Sequence, residues 1–259
     1  MITVDLWKRN NFRMKDAVLL CLFLTGTRFL VDLALLLTGV NLVLLYDIAF
    51  LGIVIAMIMR SGRGELGKIL RWRTVPVPLF CSLVVMFFGM EVMRRELGNV
   101  MEIILPVPEG FFGGTYSGNV AMVIISSAVF PAFTEELFFR GMLLNRLRRR
   151  YSARRALVAS SLLFGLMHLN PWQALLASVS GLFYGWIYMK FGTIWLCMFM
   201  HCYNNILAFF MPFPVNYLPN TRDYSPLVLQ PLWFDILGAV LFAAGLALTA
   251  GQRGKSGTG

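Results

Sequence analysis

The sequence predicts an all-α polytopic membrane protein, a bundle of about eight transmembrane helices with both termini in the cytoplasm. Three observations carry that reading. The chain of 259 residues is 58% hydrophobic and 14% charged with a mean hydropathy of +0.70, more apolar surface than one water-soluble core buries. Apolar runs near the length of a bilayer crossing recur along it. The net charge of +10 comes from Lys and Arg gathered between those runs, the pattern of cytoplasmic loops rather than of a nucleic-acid surface. No nucleic-acid partner is expected; the partners are membrane lipids.

In order, the first run is 17–40. It follows a basic N-terminus and lacks a small-x-small cleavage site, so it reads as a retained span rather than a signal peptide. The second is 42–59. SGRGELGKILRWRT (61–74) is basic with apolar residues between, which suits the inner interface. The third run is 75–93, and RRELGNVMEIILPVPEGFFGGTYSG (94–118), punctuated by Gly and Pro, reads as a re-entrant or surface segment. The remaining runs are 118–145, a short 155–170, then 172–191, 193–212 and 231–250; the tail GQRGKSGTG (251–259) reads as disordered. With no repeat and no separate soluble segment, 1–259 is expected to form a single membrane domain.

Alternating sides places 18 of the 23 Lys and Arg residues inside; Arg94, Arg95 and Arg222 fall outside, and Arg28 and Arg140 lie within spans. That asymmetry sets the expected orientation. Cys21, Cys81, Cys197 and Cys202 lie in apolar segments without CxxC pairing, so the cysteines indicate neither a disulfide framework nor a zinc site.

Charges inside spans require a reason, because lipid offers them no solvation. Arg28 and Asp32, four apart on one helix face, neutralise each other and read as structural. Asp47 and Glu91 read as packing or interface residues. Tyr46-Asp47 matches half of an aspartyl intramembrane protease signature, but the GxGD partner is missing.

PAFTEELFFRG (131–141) is different. Glu136 and Arg140 are spaced i, i+4 and can pair within their own helix, whereas Glu135 points about 100° away. Pro131 removes a backbone hydrogen bond one turn before Glu135 and frees a carbonyl near the carboxylates. A polar knot that only ties helices together is the structural reading; a cavity with a working carboxylate is the functional one.

The chain has two histidines, His168 in FGLMHLN and His201 in MFMHCYNN, both in apolar runs. A lone buried histidine is ordinarily a packing residue, but depth argues for more. Counted at 1.5 Å per residue from the nearest inner basic residue, Glu135 lies roughly 16 Å deep, His168 roughly 20 Å, His201 roughly 16 Å and Asn205 roughly 22 Å. Three helices therefore place polar groups in one slab. Phe164 shares a face with His168, and Asn205 with His201.

Such a set suits hydrolysis. Glu135 can act as general base on a water that His168 holds, while His201 and Asn205 donate to the oxyanion of a scissile carbonyl. Alternatively, Glu135, His168 and His201 can ligate zinc, with water at the open position. HExxH is absent.

EExxxR (Glu135, Glu136, Arg140), FxxxH (Phe164, His168) and HxxxN (His201, Asn205), in that order on successive helices, resemble the CAAX protease and bacteriocin-processing family (CPBP, or Abi) of intramembrane proteases, whose best-known members are the Rce1-like type II CAAX prenyl endopeptidases. The resemblance covers about 118–210. It implies an eight-helix bundle and an endopeptidase in which Glu135 and His168 activate water and His201 and Asn205 stabilise the tetrahedral intermediate. Glu136 and Arg140 would play supporting roles. It further implies an active site opening toward the cytoplasmic side and a peptide or protein substrate, possibly prenylated: CAAX proteins, bacteriocin precursors or C-terminal sorting tails. The family is often labelled metalloprotease; a mechanism that requires no cofactor is preferred here over zinc, because only two histidines and no nearby Asp or Cys constellation are visible.

Three other classes compete. A proton-coupled transporter would use Glu135, His168 and His201 as a relay, but the inverted repeats that would favour it are missing. A rhomboid-type serine protease would need SVSG (178–181) as its nucleophile motif, yet Gly181 and Gly185 read as a helix-packing face. A non-catalytic immunity or scaffold protein would keep the bundle and the motif for binding, but intact Glu135, His168 and His201 weigh against lost activity.

Overall fold

The computed structural model describes residues 12–38, 43–62, 64–106, 124–210 and 229–250, and these are helical with short connections. Helices α1 (Met14–Thr38), α2 (Val43–Arg60), α3 (Glu65–Leu70) and α4 (Val77–Ile104) come first. Helix α5 is a rod of four consecutive stretches, π-helical Ile125–Val129, α-helical Phe130–Glu136, π-helical Leu137–Leu144 and α-helical Asn145–Arg148. After it come α6 (Ala153–Leu166), α7 (Pro171–Phe191), α8 (Ile194–Phe210) and α9 (Leu232–Ala250). Among the described residues, Met14–Ala34, Val77–Ile104 and Leu232–Ala250 are long and apolar enough to cross a membrane. The molecule is an all-α membrane protein. The tail 251–259 and residues 107–118 of the expected surface segment lie outside the described residues.

Two compact units divide the chain. One comprises residues 73–119 and 206–259, in which α4 and α9 pack closely. A Cβ on Gly89 would overlap the Phe242 backbone, and one on Gly238 would lie 2.6 Å from Val92 Cγ1, so the absence of side chains there permits the approach. Helix α4 runs past the expected end at 93 to Ile104, into the first part of the stretch read as a re-entrant or surface segment. Two of its carboxylates find partners one turn away: Arg94 Nη2 donates to Glu91 Oε2 at 2.6 Å and Asn99 Nδ2 to Glu96 Oε2 at 2.8 Å. The polar residues at 91–99 can therefore remain on the helix.

The other unit, residues 1–72 and 120–205, holds every candidate site residue. Its core is built around α5, whose Phe138, Phe139, Leu143, Leu144 and Leu147 pack with Val54 and Ile58 of α2 and Ile194 and Met198 of α8. Helices α1 and α2 are pinned by Arg28, which bonds Asp32 at 3.2 Å and Asp47 at 3.1 Å. The pairing read from sequence is thus present, with Asp47 as a second partner. Helices α6 and α7 form a tight hairpin. Asn170 caps α7 by accepting from Gln173 N at 2.8 Å, Pro171 follows at the first turn, and Gly192 ends the helix at φ 63°. A Cβ on Gly181 would stand 3.1 Å from Ser161 Cα, and one on Gly185 would meet Leu157, so both glycines form a packing face. Ser178 donates its hydroxyl to Ala174 O at 2.7 Å inside that hairpin.

Candidate active site

Glu135 and Glu136 end the α-helical stretch of α5, just before the π-helical turns of Leu137–Leu144. Glu136 is fully buried, and its Oε1 accepts from Arg140 Nη1 at 2.7 Å and from His201 Nδ1 at 2.9 Å. A buried carboxylate is tolerable only with such compensation. Arg140, 2% exposed, also donates to Gly181 O at 3.1 Å and lies 4.7 Å from the Phe164 ring centroid and 5.4 Å from that of Tyr184. The guanidinium is thereby locked from several sides, and it locks Glu136 in turn.

Glu135 is the partly open carboxylate, with its side chain 28% exposed and Oε2 3.8 Å from His201 Nε2. That separation is long for a direct hydrogen bond. His201 thus stands between the two glutamates, bonded to one and facing the other. A carboxylate only accepts, so Nδ1 carries the proton toward Glu136, and Nε2 is the atom directed at Glu135. Tyr184 stacks on the imidazole at 5.3 Å and 21°, fixing its plane.

His168 sits in the turn that ends α6. Its Nδ1 lies 3.0 Å from Phe164 O, and because a carbonyl cannot donate, Nδ1 is protonated and Nε2 is the acceptor of the neutral ring. The next residue, Leu169, has φ 57°, a conformation costly for a residue with a Cβ. Asn170 Nδ2 donates to His168 O at 3.2 Å and holds the turn. Phe164 joins the parts, with its ring 5.4 Å from His168 and 5.6 Å from His201, both edge to face.

Asn205 Nδ2 donates to Ala128 O at 3.3 Å. That carbonyl belongs to the π-helical turn just before Pro131, where backbone pairing was expected to be disturbed. The second amide hydrogen of Asn205 is not used in that bond. Glu135, Glu136, Arg140, Phe164 and His201 are thus joined in one cluster, with His168 attached through Phe164 and Asn205 one turn beyond His201.

Tyr184 and the Gly181 carbonyl were missed by the sequence reading. The signal available for them was their place beside Gly181 and Gly185, where helices approach closely. Among the described residues no three His, Cys, Asp or Glu side chains come together as a metal-ligand set. Nδ1 of both histidines is already engaged, which leaves Nε2 as the ring nitrogen each can offer to a water, a substrate or a metal ion.

The region that carries this geometry is also the region that matches a family model. Residues 117–207 match the family model of type II CAAX prenyl endopeptidase Rce1-like. Among curated proteins, the chain is 30% identical over 148 residues to the "Putative membrane peptidase YdiL" of Bacillus subtilis (strain 168), a match covering 56% of this chain and 55% of that protein. The chain thus aligns with little more than half of that relative. No solved structure matches it. The resemblance drawn from EExxxR, FxxxH and HxxxN therefore coincides with the Rce1-like match in the same stretch of chain.

Proposed function

We propose that the protein is an intramembrane endopeptidase that hydrolyses a peptide bond near the C-terminus of a membrane-associated substrate. The observation that carries this reading is His201 held between a buried, Arg-paired Glu136 and a partly open Glu135. One carboxylate positions; the other is available for proton transfer.

In the proposed reaction Glu135 takes a proton from water as its oxygen adds to the scissile carbonyl carbon, with His168 Nε2 accepting from the same water. The oxyanion is met by Asn205 Nδ2 and by His201 Nε2, which can donate only when the ring carries both protons; Glu136 at 2.9 Å balances that charge. Glu135 then returns the proton to the leaving nitrogen as the C–N bond breaks. Water and peptide give acid and amine, and no step uses a metal.

The Rce1-like match makes prenylated CAAX tails the first substrate class to test, with bacteriocin precursors and C-terminal sorting tails as substrates of the same chemistry. The active site is proposed to open toward the cytoplasmic side. Purified protein would be given farnesylated CAAX, unprenylated CAAX and sorting-tail peptides, with and without a chelator, and products weighed by mass spectrometry. Cleavage of the farnesylated peptide alone, unaffected by chelator, is expected. Loss with chelator would replace the metal-free mechanism, and no cleavage of any peptide would remove the protease reading.

A further inference from the structure

A cavity of about 370 Å³ lies away from the motif cluster, between the ends of α2 and α5, helix α3 and Tyr188 of α7. None of Glu135, Glu136, His168 or His201 lines it. Its size falls in the range of small-molecule sites, about 300–1,000 Å³. Lys68, Arg146, Arg148 and Arg149 line it against a single carboxylate, Glu65. Four cations and one anion leave a formal excess of three positive charges.

Glu65 is already engaged twice, with Lys68 Nζ at 2.9 Å and Arg149 Nη2 at 3.6 Å. Arg146 is buried and donates to Ser61 Oγ. Its burial and the neighbouring charge of Arg149 both push its pKa down, so its positive charge is only partly compensated by the groups around it. An anion in the cavity would relieve that. The lining also includes the apolar side chains of Ile58, Ile69 and Met142. Helix α3 is held in place, because Trp195 Nε1 donates to Leu70 O at 2.9 Å and Trp72 packs on Trp195 at 5.6 Å.

We propose that this cavity is a binding site for a phosphate group carried by an amphiphile, an anionic phospholipid whose headgroup meets Lys68, Arg146 and Arg149 while its glycerol and first methylenes lie on Ile58, Ile69 and Met142. Guanidinium groups suit phosphate oxygens because their paired N–H groups bond two oxygens at once. A flat basic surface would attract anionic lipid too, but without a wall that selects the adjoining apolar part. The site is independent of the proteolytic reading.

The test is retention of phosphatidylglycerol against phosphatidylcholine by the purified full-length protein, read by native mass spectrometry. Wild type is compared with the double variant K68Q/R149Q and with R154Q/R155Q, which removes two exposed cations outside the cavity. Lys68 and Arg149 are chosen because both are substantially exposed, so the fold survives their loss. Retention of phosphatidylglycerol by wild type and R154Q/R155Q, with a fall of about tenfold or more in K68Q/R149Q, is expected. Inorganic phosphate forms the second arm: competition shows that the site takes phosphate from either source, and its failure shows that the acylated headgroup is required. Equal retention of the two lipids without phosphate binding, or equal loss in both variants, would overturn the proposal.

Discussion

Glu135 and Glu136 are adjacent in sequence, and the helix turns them into different environments. Glu136 is enclosed with Arg140 and His201, whereas Glu135 keeps partial access. Their glutamine variants should therefore fail differently. E135Q is expected to unfold at the wild-type temperature while turnover falls about 10²–10⁴-fold, the range for loss of a general base. E136Q leaves Arg140 buried without its counter-charge and is expected to lose about 3–5 kcal/mol, visible in denaturation before any assay. Phe164 touches both imidazoles and the Arg140 guanidinium, so F164A should cost about 3–5 kcal/mol and depress turnover, with F164L recovering part of each. The Glu136–Arg140 pair was legible because i, i+4 spacing acts within one helix. The bond from His201 to Glu136 was not, since spacing says nothing about which face of one helix meets which face of another. Depth counting brought His201 and the glutamates to one level, and no further.

At the scale of elements, the close approaches were legible in part. Gly181 and Gly185 were read as a packing face, but Gly165 gave no such signal, although a Cβ there would overlap the Ala174 carbonyl and Ser178 Oγ. G165A should push α6 from α7, destabilise the protein by about 1–3 kcal/mol and misplace His168, lowering activity with it. G52A in α2 meets nothing within 4 Å and should leave both stability and activity at or slightly above wild type. Unfolding midpoints of the two variants, measured side by side, decide this. The π-helical stretches were invisible because they arise from how α5 packs, not from a residue pattern. Only Pro131 marked the first of them. The extension of α4 past 93 was hidden by reading Arg94, Arg95 and Glu96 as loop residues, when i, i+3 partners let charges remain on a helix.

For the whole molecule, composition was sufficient for class and charge asymmetry for an expected orientation, because lipid constrains both. A cysteine-free background with Arg150→Cys should label with impermeant maleimide only from the cytoplasmic face, and Leu105→Cys only from the opposite face. The reverse labelling would invert the topology and move the proposed opening to the other side. The account as a whole rests on Glu135 doing chemistry rather than packing. The most direct measurement is the initial rate at which purified wild type and E135Q cleave one farnesylated CAAX peptide, at matched unfolding midpoints. The account predicts cleavage by wild type and a rate at least about 10²-fold lower in E135Q; equal rates from the two proteins would contradict it.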